Sequence, residues 1–180
     1  MKKSIEENGF TYTYYLDSEN KKQGNQTVNH PDGYQLEQSE YQDDQLHGKR
    51  YLYYPNGNIE IEETYVDGAL EGTYKAFYQD GQLKSETNYT DNVLTGLFTQ
   101  YYTNGNKKED VTFQYNEENG PFVEYFENGN KKWEGTYKDG DNEVGLLLKY
   151  NESGELIRKL MCDDESICTT IWTVNTESGN

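Results

Sequence analysis

Two histidines, two cysteines and a surplus of carboxylates are the residues of this 180-residue sequence that could carry chemistry. His30 and His47 each stand beside a turn signal, with no Cys or second His at a metal-ligating spacing. Each therefore reads as a solvated loop residue and not a zinc ligand. No Ser sits in a nucleophile-elbow pattern, and the glycines never open a helix as a phosphate-binding loop does. Carboxylates such as Glu60 with Glu62, or Glu86 and Asp110, are what a solvated sheet face needs. A glycosidase-type pair would also need a deep cleft, which a single sheet does not supply. The run Asp139-Gly140-Asp141-Asn142-Glu143 is acidic enough to suggest calcium, but it lacks the twelve-residue loop and its closing bidentate Glu. It reads as an acidic link between hairpins. Cys162 and Cys168 lie six apart and could meet across a closing hairpin. With no secretory signal at the head of the sequence, two reduced thiols are the favoured expectation. No catalytic constellation, metal set or cofactor site emerges, so a non-enzymatic protein is expected.

What remains is aromatic. There are 18 Tyr, 6 Phe and 2 Trp, while Leu, Ile, Val and Phe together make up only about 18% of the chain. Beside a net charge of −17, such a fraction ordinarily flags disorder. A repeat answers the flag. A turn signal recurs as Asp32-Gly33, Asn56-Gly57, Asp80-Gly81, Asn104-Gly105, Asn128-Gly129 and Ser153-Gly154. A second glycine series, Gly24, Gly48, Gly72, Gly96, Gly120 and Gly145, leads it by nine residues. The period is 24 residues, and two series in one register exclude chance. Each unit predicts a β-hairpin: Asn-Gly and Asp-Gly tolerate the positive φ of a two-residue type I′ turn, and the flanks are rich in residues that fit a pleated surface. A hairpin is marginal alone, but tiled hairpins bury aromatic surface between neighbours.

The expected architecture is all-β: an elongated single-layer antiparallel sheet of about six tandem 24-residue hairpins. Residues 1–23 form an N-terminal edge strand and loop, with Phe10 to Leu16 as the strand and Asp17 to Gln26 as loop. The array runs 24–161, in units 24–47, 48–71, 72–95, 96–119, 120–144 and 145–161. Residues 162–180 form a capping strand, Ile167 to Val174, and a frayed tail, Thr176 to Asn180. A two-residue turn at Asn56-Gly57 places Tyr54 opposite Ile59 and Tyr53 opposite Glu60. One face then collects Tyr54, Ile61 and Tyr65; Tyr74, Tyr78, Leu83 and Tyr89; Phe98, Tyr102 and Phe113; and Phe122, Phe126, Trp133 and Tyr137. The other carries Tyr53, Phe77, Tyr101 and Tyr125, with Lys84, Lys108 and Lys132 across from the rings, their stems lying on the aromatic faces.

The unit Gly-x-Phe/Tyr-x-x-Tyr-Tyr-x-x-Gly, followed by Lys-x-Glu and Tyr-x-Asp-Gly, resembles the MORN repeat in its bacterial variant form. The cleanest copies are Gly72-Thr-Tyr-Lys-Ala-Phe-Tyr-Gln-Asp-Gly81 with Tyr89, and Gly120-Pro-Phe-Val-Glu-Tyr-Phe-Glu-Asn-Gly129 with Gly135-Thr-Tyr-Lys-Asp-Gly140. A chain made wholly of such units resembles the bacterial YwqK-family antitoxins, and its ending, Leu156 to Cys162 and Cys168 to Trp172, is similar to theirs. That resemblance implies a protein that neutralises a toxin by direct binding. The residues themselves point to a protein-binding module: six units of exposed rings exceed the apolar surface a soluble monomer usually shows. Self-association, curvature or a partner protein would cover it. The expected partner-binding residues are Tyr54, Tyr78, Phe98, Tyr102, Phe122, Phe126 and Trp133. The acidic charge suits a basic partner such as a toxin, and repels nucleic acid and anionic membrane. The alternative is a structural or scaffolding MORN-repeat protein, at the cell surface and without a toxin. The absence of a leader sequence sets the expectation of a cytoplasmic location.

Overall fold

The structure, a computed structural model, describes residues 1–174, and those residues contain strands and no helix. The chain divides into two units, Met1–Val93 and one beginning at Leu94. The first holds β1 (Lys2–Glu7), β2 (Phe10–Tyr15), β3 (Gly24–Asn29), β4 (Gln35–Gln42), β5 (Gln45–Tyr53), β6 (Ile59–Val66), β7 (Ala69–Leu70), β8 (Gly72–Phe77) and β9 (Leu83–Thr90). The two-residue β10 (Val93–Leu94) falls on the division. The second holds β11 (Gly96–Tyr101), β12 (Lys107–Gln114), β13 (Glu117–Tyr125), β14 (Lys131–Lys138), β15 (Asn142–Tyr150), β16 (Leu156–Cys162) and β17 (Cys168–Thr173). Within each unit the ladders are antiparallel and join strands that follow one another in the chain, with β6 pairing to both the short β7 and to β8. In each unit the all-β single-layer hairpin array expected from the repeat is what forms.

The turn chemistry is exchanged between the two ends of each hairpin. The Asn-Gly and Asp-Gly sites are not two-residue type I′ turns. At Asn56-Gly57 the Tyr54 N–H donates to Asn58 O (2.9 Å) and Gly57 N–H to Tyr54 O (2.9 Å), enclosing a three-residue loop in which glycine alone has positive φ. That is a type I turn closed by a left-handed glycine. The same pair of bonds recurs around Gly81, Gly105, Gly129 and Gly154. The two-residue turns with both φ positive lie at the opposite ends: Asn8-Gly9, Asp43-Asp44, Asp67-Gly68, Asp91-Asn92 and Tyr115-Asn116. Only some of these contain glycine, so the glycine count pointed to the wrong set.

The longer loop slips the register by one, and a bulge slips it back. Near the turn Tyr53 opposes Ile59, where Glu60 was expected; beyond the irregularity Leu52 opposes Ile61, as a two-residue turn would give. Phe77 opposes Leu83, Tyr101 opposes Lys107 and Tyr125 opposes Lys131 in the same way. Strand-interior faces therefore match the expectation, and turn-proximal ones do not. Tyr54, Tyr78, Tyr102 and Phe126 stand at the loop entrances, outside the strands. The lysine–ring pairs shift as well: Lys107 and Lys131 instead reach Asp110 and Glu134 in ion pairs. Lys84 lies 6.0 Å from the Tyr78 centroid, and Lys132 pairs with Glu124 at 2.8 Å.

An asparagine ladder runs along the loops. Asn56 and Asn58 both donate through Nδ2 to Gln79 O (2.7 and 2.9 Å); Asn104 and Asn106 grip Glu127 O, and Asn128 and Asn130 grip Glu152 O. These three loops are thus each fastened to the next, one repeat on. The N-terminal end departs from expectation in two respects: Lys2–Glu7, whose only large apolar residue is Ile5, is a strand, so β1 and not β2 is the outer strand of the first unit, and Gly24 to Gln26, expected as the end of a loop, open β3 because they pair with Ser39 to Tyr41. The expected closing strand is β17, and Thr176 to Asn180 lies outside the described residues.

Candidate binding surface

Strand alternation and register assemble one buried cluster in the second unit. Val111, Phe122, Leu147 and Cys162 are its buried members, with Phe113, Trp133, Tyr137, Leu160 and Cys168 packed against them. Phe122, 2% exposed, stacks on Tyr137 with ring centroids 4.0 Å apart. Its cross-strand partner is Gly135, where a side chain would collide with Phe122 and with Leu147. Phe98 meets Phe113 edge-on at 5.8 Å at the margin of this cluster. Tyr102 donates its hydroxyl to Tyr125 O (2.8 Å), as Tyr54 donates to Phe77 O (2.8 Å) in the first unit. Phe126 stands half-buried beside Glu127, Asn128 and Glu152, and Trp133 has Lys149 Nζ 4.7 Å from its centroid. Of the seven expected partner-binding rings, Phe122 and Trp133 share one cluster; Tyr54 and Tyr102 are committed to the neighbouring backbone.

The cysteines are joined. Cys162 and Cys168 face each other directly across β16 and β17, with Cα atoms 3.9 Å apart, and form a disulfide. The favoured expectation of two reduced thiols is thereby corrected: the register places the pair directly opposite, and the hairpin between them closes the last strand.

The corresponding face of the first unit is polar where the second is apolar. Arg50 forks to Glu37 (3.1 Å) and Glu63 (3.0 Å), and Tyr65 donates to Glu63 (3.1 Å). These partners outweigh burial and keep the Arg50 guanidinium firmly charged. In the second unit Glu109 lies opposite Glu124. Burial, and then the charges of Glu124 and Glu118, push the Glu109 carboxyl above its ordinary range. Glu124 is paired with Lys132, so the two carboxylates differ in environment, and together they line a depression with Tyr102, Lys108, Tyr125 and Lys132. Tyr150 donates to Glu134, and burial together with that bond pushes its phenol up to about 12. Among the described residues no group of three or more His, Cys, Asp or Glu could hold a metal ion.

The feature that sequence reasoning missed is on the other face. Leu146 opposes Met161, and Leu148, Lys159 and Trp172 line up across three strands. Alternation puts Leu146, Leu148, Met161 and Trp172 on one side, continuing a shallow groove lined also by Pro121 and Val123. Leu146, Met161 and Trp172 are 46%, 47% and 41% exposed. The signal was the charge-free run Thr169 to Val174 beside Leu146-Leu147-Leu148, which breaks the polar alternation of the earlier units.

No curated protein matches the chain. The family model described as "MORN repeat variant" matches residues 46–67, 70–91, 94–115 and 118–139. Each match spans one hairpin together with one of the links at its end, in step with the strands described above. MORN repeats are in general protein- or membrane-binding modules and not enzymes. The MORN repeat variant thus matches this chain four times in tandem, within residues 46–139.

Proposed function

We propose that the protein is a non-enzymatic protein-binding module, and that its partner is a protein toxin which it neutralises by direct binding in the cytoplasm. The observation that carries the reading is the exposed apolar face of Leu146, Met161 and Trp172, because a single-layer sheet has no second layer to cover it. Phe126, half-buried at a loop entrance of the same unit, is a further proposed contact, since aromatic side chains anchor interfaces. A net charge of −17 would draw a basic partner and speed its encounter. Co-expression with the products of adjacent genes tests it: one of them arrests growth alone, growth returns with this chain, and the pair co-purifies. The double substitution Met161→Lys with Trp172→Lys abolishes both rescue and complex. If no neighbouring product is toxic and none co-purifies, the reading is abandoned.

The disulfide supports a second reading, a structural or scaffolding module at the cell surface, because such bonds persist in oxidising compartments. Mass measurement of thiol-alkylated protein taken directly from cells separates the two: two alkylated cysteines favour the first reading, none the second.

A further inference from the structure

The chain holds two arginines and twice as many acidic as basic side chains, yet the two arginines are treated in opposite ways. Arg50 is held by two carboxylates. Arg158 is exposed and makes no ion pair among the described residues. Its direct cross-strand partner on β15 is Lys149, another cation without an acidic partner there. Like charges set directly opposite on a sheet repel, and a chain with 33 acidic side chains had every compositional opportunity to put one here. The row continues in register: Lys149 opposes Trp133, and Arg158 opposes Thr173. Lys149 lies over the Trp133 ring, and Lys149, Arg158, Ile157, Thr173 and Val174 line a depression. The Thr173 hydroxyl is already spent on Ile157 O (3.2 Å), so the donors left open are those of the two cations.

We propose that Lys149 and Arg158, with Trp133 beside them, form a binding site for an oxyanion, a carboxylate or phosphate group carried on a body that lies against Ile157 and Val174. The guanidinium fork donates to two oxygens at once, and the ammonium supplies a point charge from the opposite strand. The bound anion removes the repulsion between the two cations. The general field of the molecule repels anions, but at physiological salt it is screened beyond about 8 Å, so at contact range the local pair decides. This row lies on the face opposite Leu146 and Met161, so the site is independent of the proposed toxin surface.

Trp133 reports the site, once the second indole is removed by Trp172→Phe. This oxidised variant is titrated with sodium succinate and with sodium phosphate at an ionic strength held constant with sodium chloride. Backbone amide shifts of Lys149 and Arg158 are followed in the unaltered protein as a second readout. The expected result is a saturable change in Trp133 emission and in both amides; saturation by succinate, by phosphate or by both identifies the group. Arg158→Gln weakens it by at least about tenfold, or about 1.4 kcal/mol. Arg158→Glu abolishes binding but raises the unfolding midpoint, because Lys149 then faces an opposite charge. The proposal is overturned if both anions give only the response of chloride, or if Arg158→Gln and Lys149→Gln titrate like the parent.

Discussion

Gly135 is the position where the packing of the second unit can be tested most sharply. It is not in the left-handed region, so its need for glycine is steric. A Cβ there would lie 2.8 Å from Leu147 Cδ1, 2.9 Å from Phe122 Cε1 and 3.1 Å from Phe122 Cζ. Phe122 is also stacked on the Tyr137 ring and is 2% exposed, so it has little room to retreat. Overpacking of this kind costs about 1–3 kcal/mol. Replacing glycine by alanine also returns about 0.4–1 kcal/mol by restricting the unfolded chain. At the midpoints of these ranges the net loss for Gly135→Ala is about 1.3 kcal/mol, read as a lower urea midpoint at unchanged slope. Phe122→Leu removes the ring atoms that the new methyl meets. The double variant should therefore lose less than the two single losses together, with a coupling of about 0.5 kcal/mol or more. Gly145→Ala is the contrast: nothing lies within 4 Å, but φ is +71°. Its cost of about 1–2 kcal/mol comes from the backbone and should not couple to Phe122. A neutral Gly135→Ala, or a double variant additive within about 0.3 kcal/mol, would refute the claim that this glycine exists to admit the Phe122 ring.

Three further outcomes follow from the same geometry. Tyr102→Phe leaves Tyr125 O without its donor and should cost about 1 kcal/mol by urea denaturation; no loss would show that the loop-to-loop bond is idle. Reducing the Cys162–Cys168 bond should lower stability by about 2 kcal/mol on a chain-entropy estimate for so short a loop, seen as a drop in the thermal midpoint with reductant; two titratable thiols in unreduced native protein would contradict the pairing. Glu109 has a folded-state pKa above its unfolded value, so the folded state binds the proton more tightly, and stability falls as pH rises from the unfolded to the folded pKa. Glu109→Gln should thus raise the unfolding midpoint at neutral pH and lose that advantage below about pH 4; an equal effect at both pH values would assign it to packing instead of charge.

Much of the fold was legible because a 24-residue period leaves little freedom. One glycine series marks the reversal at the loop end of each unit, the other, Gly48, Gly120 and Gly145 among it, lies at positive φ inside the strands, and the apolar set Phe98, Phe113, Phe122, Trp133 and Tyr137 falls on one face as alternation requires. The turn types were not legible, because asparagine, aspartate and even the exposed Tyr115 adopt left-handed φ here, while the Asn-Gly pairs use only their glycine. The faces survived that error for a physical reason. The loop is one residue longer than a type I′ turn, and the bulge beyond it takes up one residue on the second strand, so the register returns to the same sum. Only the rings at the loop entrances were misplaced. Strand β1 escaped notice because a sequence with one large apolar residue carries no period-two pattern to read.

The candidate surfaces were less legible than the fold, and the reason lies in how repeats encode information. A residue that recurs every 24 positions is selected by its neighbours one repeat away, as Tyr54, Tyr102 and the paired asparagines show by bonding to backbone 21–24 residues on. The rings most visible in the sequence are therefore those most occupied in holding the array together. Groups without such an obligation are found where the repeat breaks: Leu146, Met161 and Trp172 on one face of the closing hairpins, Lys149 and Arg158 on the other. Their local cost is plain, exposed apolar area in one case and facing like charges in the other, and nothing in the hairpin repeat requires either. A cost that the array does not impose, borne by residues outside the repeat pattern, is the physical ground for proposing recognition at the closing hairpins of the second unit.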